Sequence, residues 1–339
     1  MIRVGINGFG RMGRLFLRRA LEEKAGFKVV AVNTSGRMEI AGWAQLFEYD
    51  TVYHRYAGEM KTDDKAMIID GQKIAVLAER NPQQIPWGDY GVELVVEATG
   101  AFRKESELRW HLRDTVKRVL LTAPAKEGQV PMYLLGINDD HLGEAEIWSN
   151  ASCTTNCVAP VTQVIQRSFK ILKSMMTTVH AVTSDQRLLD NSHKDLRRAR
   201  AGAWNIVPTS TGAAQATGAV IPEVKGIFTG LCMRVPVPTG SVCDFTFLVK
   251  RKTTKSEVNK AFVEASKSPG YLGILTVSQA PLVSSDVIGS SASAIVDLSL
   301  TQVVVDDLVK VIAWYDNEWG YVCRLVDQIE LVAKKLKQE

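Results

Sequence analysis

The stretch "GINGFGRMG", residues 5–13, constrains this chain most. It sets Gly8, Gly10 and Gly13 in a G-x-G-x-x-G spacing between the apolar run "IRVGIN" and the helical pattern "RMGRLFLRRALEEK". A strand, a glycine turn and a helix, followed by the strand-like "FKVVAVN", make a βαβ unit. The glycines permit a tight turn and close approach of a pyrophosphate. The helix start at Arg11 and Met12 offers free N–H groups and the positive end of a dipole. A ligand-free strand-to-helix turn has the same spacing, but the βαβ context favours a dinucleotide site.

The rhythm continues through "VELVVEATG", the charged helical stretch "KESELRWHLRDT" and "KRVLLTAPA", which implies a doubly wound parallel sheet. "ASCTTNCVAPVTQVIQRSFK" reads as a loop running into a helix. Beyond it "SMMTTVHAVTS", "FTGLCMRVPVP", "SVCDFTFLVKR" and "VVVDDLVKVIAWYD" alternate as strands, with a helix at "TKSEVNKAFVEASKS". These features predict a second, α+β domain on a mainly antiparallel sheet. The final "GYVCRLVDQIELVAKKLK" reads as an amphipathic helix whose lysines suit its C-terminus. The expected class is α/β, a Rossmann-type doubly wound domain plus an α+β catalytic domain. A length of 339 residues accommodates both.

Charge and cysteine content narrow the functional classes. A net charge of +4, from 41 basic and 37 acidic residues, is too small to imply nucleic-acid binding. No apolar run approaches the ~18 residues of a membrane span, and the N-terminus has no signal-peptide layout. Five cysteines in irregular spacing argue against a disulfide framework and for a reducing compartment, so a cytoplasmic protein is expected. Cys153 and Cys157 form a CxxxC with no second pair and no clustered histidines, so no metal is expected.

Cys153 carries the chemistry. It sits where a loop enters a helix, among Ser152, Thr154 and Thr155, and a helix N-terminus is expected to lower a thiol's pKa. Cys157, Cys232, Cys243 and Cys323 read as packing residues. Of five histidines, His180 ends the apolar strand "MMTTVH", where a strand delivers a side chain into a cleft. "SHKDLRRARAG" gathers His193, Lys194, Arg197, Arg198 and Arg200; such a run is a solvated turn, a subunit contact or an anion site. "VPTSTGAA" offers hydroxyls and a glycine before a helix, and Arg234 stands alone in "MRVPVP", as an anion clamp or an ion-pair partner. A dinucleotide site, an activated cysteine and several phosphate-like sites suit oxidation of a phosphorylated aldehyde through a covalent thioester.

"GINGFGRMGR", "ASCTTNC", "HKDLRRARA", "PTSTGAA", "MRVPVP" and "WYDNEWGY", in that order, resemble the phosphorylating glyceraldehyde-3-phosphate dehydrogenase family over nearly the whole chain. The resemblance implies a dinucleotide-binding domain at residues 1–152 and 317–339, a catalytic domain at 153–316, and a homotetramer. It implies Cys153 as nucleophile and His180 as base. Thr183 and Arg234, with Arg198 nearby, would hold the substrate phosphate. Ser152, Thr154, Thr211 and Gly212 would hold inorganic phosphate. Gly8, Gly10, Arg11, Met12, Asn33, Arg80, Thr99, Gly100, Thr122, Asn317 and Tyr321 would face the dinucleotide. The basic loop containing "HKDLRRAR" would border the cofactor of a neighbouring subunit. The implied reaction makes 1,3-bisphosphoglycerate from glyceraldehyde 3-phosphate and inorganic phosphate. Erythrose-4-phosphate dehydrogenase is the enzymatic alternative, and a non-enzymatic binding role the third.

Two departures bear on the cofactor. An Asp or Glu usually follows the second strand and grips the adenosine ribose of NAD. Here Asn33, Thr34, Ser35, Gly36 and Arg37 follow, in a loop that looks about two residues longer than the family's. Thr34 and Ser35 would donate to a 2′-phosphate and Arg37 would neutralise it. Ser192 stands where NAD-specific relatives tend to have proline, as in the NADP-using photosynthetic branch. The expected cofactors are NADP and NAD, with NADP use favoured over strict NAD use.

Overall fold

A computed structural model describes residues 1–336. Lys337, Gln338 and Glu339, which end the expected 317–339 segment and its lysine-rich helix, lie outside the described residues. The chain forms two compact units. The first comprises residues 1–133, 139–151 and 322–339, and the second residues 134–138 and 152–321.

The first unit is built on an eight-stranded sheet. In spatial order its strands are Ile147–Ser149, Arg118–Leu121, Leu94–Glu97, Arg3–Asn7, Lys28–Asn33, Gln72–Leu77, Ala66–Ile69 and Met60–Thr62. The first six run parallel, and the last two each pair antiparallel with the strand before them. The central strands are apolar with little alternation because both faces are covered; every residue of Leu94–Glu97 is buried. Asn7, Asn33 and Glu97 end three neighbouring strands in one register, which brings three polar side chains to the carboxyl edge of the sheet. The first helix, Arg11–Glu22, buries Leu15, Phe16, Leu17 and Ala20.

The stretch "KESELRWHLRDT" is less helical than its charge pattern suggests. Only Glu105–Leu108 is α-helix, followed by a 3-10 turn at Arg109–His111. The tighter turn accompanies a fully buried His111, whose ring bonds to Trp87 and Glu97 rather than facing solvent.

The second unit has an eight-stranded, mainly antiparallel sheet. Its strands follow the order Val207–Ser210, Phe228–Val235, Ile171–Ala181, Ser241–Val249, Leu308–Tyr315, Ala294–Asp297 and Leu275–Ser278, with Gln302–Val304 pairing to Leu308–Tyr315. Ser241–Val249 alternates buried and half-buried residues throughout, the signature of a sheet with one packed face. The helix Cys153–Phe169 is buried along nearly its whole length. "VVVDDLVKVIAWYD" is a hairpin rather than one strand. Val305 and Asp306 both take positive φ, 48° and 66°, and turn the chain between two short partners.

Candidate active site

In the second unit, Ser152 caps the helix Cys153–Phe169: its Oγ accepts from Thr155 N at 3.1 Å. Cys153 is therefore the first helical residue and keeps part of its surface open, whereas Cys157, Cys232, Cys243 and Cys323 are buried. Strand Ile171–Ala181 runs parallel to Phe228–Val235 with His180 opposite Arg234. That register brings the expected base and the expected clamp together. His180 Nε2 lies 3.5 Å from Cys153 Sγ, and Arg234 Nη1 lies 2.9 Å from His180 Nδ1. Arg234 Nη1 also donates to Thr183 Oγ1 at 3.4 Å.

Burial outweighs the lowering expected from the helix end. Enclosure by the protein pushes the Cys153 thiol up to about 11, with the Arg234 charge opposing the shift. Burial, reinforced by Arg234, pushes His180 down to about 3. Both shifts favour a neutral pair, thiol beside imidazole.

Other expected anion ligands are committed elsewhere. Thr154 Oγ1 lies 3.0 Å from the Tyr315 hydroxyl, which also meets Thr178 Oγ1 at 2.9 Å. Arg198 donates to Asp185 at 2.5 Å and to Thr209 at 2.9 Å, with Asp195 at 3.5 Å. Two carboxylates thus neutralise it. Thr211 Oγ1 accepts from Ala213 N, and Gly212 stands at the N-cap of helix Ala213–Val220. Asn317 is oriented by Ser241 and Thr239, which donate to its Oδ1 at 2.8 and 3.2 Å. Tyr321 is buried. Ser192 lines a shallow depression with Ser184, Asp185, Arg187, His193 and Lys194.

In the first unit, a cavity of about 390 Å³ opens at the carboxyl edge of the parallel sheet. Of the residues the resemblance assigns to the dinucleotide, Gly8, Gly10, Asn33, Thr34, Ser35, Arg37, Arg80 and Thr99 line it; Arg11, Met12, Gly100 and Thr122 are not among its lining residues. Arg11 is ion-paired with Asp50, and Thr122 Oγ1 donates to the Glu97 carbonyl at 3.0 Å. Asn7, Phe9, Trp43, Glu79, Ala98, Ala101 and Phe102 complete the walls. Sequence reasoning missed these, although Trp43 lies in the lengthened loop region that it singled out.

The lip of the cavity is cationic. Among the described residues neither Arg37 nor Arg80 has an ion-pair partner, while Glu79 accepts from Asn81 N at 2.8 Å. Thr34 corrects one expectation. Its hydroxyl donates to the Leu77 carbonyl at 2.9 Å and accepts from Gly36 N at 3.3 Å, so it closes the turn instead of offering its proton to a ligand.

Behind the wall sits Glu97, fully buried. Asn7 Nδ2 donates to its Oε2 at 2.6 Å, and Thr99 donates to its Oε1 through N at 2.9 Å and through the hydroxyl. Trp87 Nε1 donates to His111 Nδ1 at 3.2 Å, which leaves the hydrogen on Nε2 to donate to Glu97 Oε2 at 3.2 Å. Asn33 Nδ2 donates to Asn7 Oδ1 and to the Glu79 carbonyl, both at 2.8 Å. All these donors lead toward one carboxylate.

The residues present fit a dinucleotide. Gly8 takes φ +101°, and a Cβ on Gly13 would lie 2.1 Å from the Gly8 carbonyl oxygen, so the turn requires glycine at both places. Gly10 caps the helix Arg11–Glu22 without a side chain, and the positive end of the helix dipole lies there. Trp43 Nε1 is buried without a partner beside the cavity. Among the described residues, no group of three or more His, Cys, Asp or Glu side chains is placed to hold a metal, and no helix is long and apolar enough to cross a membrane.

Comparison with known proteins agrees with both halves of the chain. Residues 2–105 match the glyceraldehyde 3-phosphate dehydrogenase NAD binding domain and residues 152–317 match the C-terminal domain of the same enzymes. Glyceraldehyde-3-phosphate dehydrogenase of Streptomyces coelicolor is 49% identical, over 99% of this chain and 99% of its own length. Glyceraldehyde-3-phosphate dehydrogenase A, chloroplastic, of Chlamydomonas reinhardtii is 48% identical over 98% of this chain and 89% of its own, and glyceraldehyde-3-phosphate dehydrogenase 2 of Bacillus subtilis is 46% identical over 99% and 98%. With a glycine turn that admits a dinucleotide in one unit and a cysteine–histidine–arginine cluster in the other, the chain belongs to the phosphorylating glyceraldehyde-3-phosphate dehydrogenase family.

Proposed function

We propose that this chain oxidises glyceraldehyde 3-phosphate to 1,3-bisphosphoglycerate with NADP or NAD, through a thioester on Cys153. The observation that carries this reading is the placement of Cys153 Sγ 3.5 Å from His180 Nε2, with Arg234 and Thr183 on the other side of the imidazole. Cys153 attacks the aldehyde carbon and its proton passes to His180 Nε2, which then steadies the hemiacetal oxygen. A bound dinucleotide supplies the hydride acceptor for the oxidation. Inorganic phosphate attacks the acyl carbon, and Cys153 leaves as the thiol. Arg234 and Thr183 hold the substrate phosphate, and the hydroxyls and N–H groups around Ser152, Thr211 and Gly212 serve the inorganic one. We assign dinucleotide binding to residues 1–152 and 317–339 and catalysis to 153–316, in a cytoplasmic homotetramer. Self-association accords with the exposure of Leu188, Leu196 and Trp204, at 78%, 81% and 81%, on the loop that contains Ser192.

Steady-state assays of glyceraldehyde 3-phosphate and erythrose 4-phosphate, with each dinucleotide and with and without phosphate, test the reading. Turnover that ignores inorganic phosphate would favour hydrolysis, the erythrose-4-phosphate chemistry. Arg234→Leu should lose about 1.5–3 kcal/mol in kcat/KM for the phosphorylated substrate and much less for unphosphorylated glyceraldehyde. An equal loss with both substrates assigns Arg234 to folding.

NADP use rests on the unpaired Arg37 and Arg80 at the lip, with Ser35 exposed between them and the strand end. Since the Thr34 hydroxyl is occupied, its contribution is the absence of a repelling carboxylate. A Thr34→Asp, Ser192→Pro double variant should shift kcat/KM toward NAD by about 1.4 kcal/mol or more, a factor of ten. A wild type strongly preferring NAD, with the variant unchanged, refutes the NADP assignment.

A further inference from the structure

Three hydroxyls meet at the first turn of the helix Cys153–Phe169. Tyr315 Oη lies 2.9 Å from Thr178 Oγ1 and 3.0 Å from Thr154 Oγ1. All three residues are buried, Thr178 completely. The Tyr315 ring stands edge-on to His180, with centroids 6.0 Å apart and planes at 73°. Burial pushes its hydroxyl well above the ordinary value, so it keeps its hydrogen.

Counting hydrogens gives this chain of bonds a direction. Each hydroxyl has one hydrogen to give. Among the described residues Tyr315 is the sole partner of the Thr178 hydroxyl, so the Thr178 hydrogen is satisfied only when Thr178 donates. Tyr315 then spends its own hydrogen on Thr154. The reverse order, Thr154 to Tyr315 to Thr178, strands the Thr178 hydrogen in the core. Donation by both threonines strands that of Tyr315. Either leaves a buried donor unpaired, which is the costly case. In the favoured order the bond to Tyr315 occupies a lone pair of Thr154, and the Thr154 hydrogen is left for the sulfur side, where Cys153 Sγ lies at 3.9 Å. A nucleophile that attacks an acyl group on that sulfur comes within reach of the same hydroxyl.

We propose that Tyr315, itself oriented by Thr178, is a positioning residue for the phosphorolysis step: it holds Thr154 as a hydrogen-bond donor toward the inorganic phosphate that attacks the Cys153 thioester. Phosphate oxygens accept, so a Thr154 turned the other way would meet them with lone pairs. In the step, a phosphate oxygen bonds to the acyl carbon, the C–S bond breaks with its electron pair on sulfur, and the hydrogen of the phosphate dianion passes to that sulfur. Thr154 gives up no proton. The inference rests on the reading of the chain as a phosphorylating dehydrogenase with Cys153 as nucleophile.

Steady-state kinetics with inorganic phosphate as the varied substrate test it. Tyr315→Phe keeps the ring against His180 and removes the hydroxyl. Its KM for phosphate should rise about three- to tenfold, the effect of one hydrogen bond. The effect should be confined to that step: the burst of reduced dinucleotide formed without phosphate keeps its amplitude. Thr154→Val should raise the phosphate KM at least as much, and the Tyr315→Phe, Thr154→Val double variant no further, because Tyr315 acts through Thr154. Neutron diffraction from wild-type crystals reads the hydrogens themselves and needs no variant to fold. The Thr178 hydrogen should point at Tyr315 and the Tyr315 hydrogen at Thr154. A Thr154 hydrogen directed at Tyr315, an unchanged phosphate KM in Tyr315→Phe beside a raised one in Thr154→Val, or losses that add in the double variant overturns the proposal. Failure of the underlying reading looks different: turnover would ignore inorganic phosphate, in wild type as in the variants.

Discussion

Replacing Cys153 with Ser should remove several orders of magnitude of turnover. A serine hydroxyl at its ordinary pKa is a poor nucleophile, and the alkoxide it would become is a poorer leaving group than a thiolate. His180→Asn should cost about 10²–10⁴-fold, since the amide fills the space without taking a proton. Alkylating reagents should inactivate the enzyme with a single label on Cys153, because the other four cysteines are buried. Initial rates and peptide mapping check all three. Near-normal turnover in Cys153→Ser would exclude the covalent route.

A second large effect is expected at the glycine turn, and it separates two kinds of glycine. Gly13→Ala would place a Cβ 2.1 Å from the Gly8 carbonyl oxygen. That oxygen cannot simply retreat, because Gly8 N is held by the Asn33 carbonyl at 2.9 Å. The expected result is a lower melting temperature together with at least about tenfold weaker dinucleotide binding, in keeping with the ~1–3 kcal/mol or more typical of overpacking. Gly10→Ala should behave differently. Its φ is −77° and an added Cβ meets nothing within 4 Å. Melting should hardly move, while dinucleotide affinity falls because the methyl group stands where the pyrophosphate must approach. Calorimetry and ligand titration on the two variants distinguish these outcomes; equal loss of stability in both would remove the distinction.

The chain announces its scaffold through periodicity. Strand-like runs buried on both faces, a glycine turn and alternating runs in the second half led to two sheet domains, because burial patterns are local properties of sequence. Cys153 and His180 were legible for a similar reason: one starts a helix and the other ends a strand. What spacing does not show is how each polar atom is spent. The Thr34 hydroxyl is used by Leu77, Arg198 is neutralised by Asp185 and Asp195, and Thr154 turns to Tyr315. Each partner lies on another element, so only the tertiary fold shows the commitment. Trp43 was missed because its segment read as a loop, whereas it lies buried in the helix Ile40–Glu48, and the hairpin at Val305–Asp306 because neither residue is a glycine.

The wiring that converges on Glu97 has an evolutionary consequence. Exchanging Glu97 for Gln would set an amide donor against donors, and no reorientation of His111 mends it without turning an N–H toward the Trp87 indole. Asn7, Asn33, Thr99, His111 and Trp87 therefore change together or not at all. Ser35, Arg37 and Arg80 hang on no such chain. A lineage seeking a different dinucleotide would find its tolerated mutations at the lip, and the inner wall would persist unaltered through each change of cofactor.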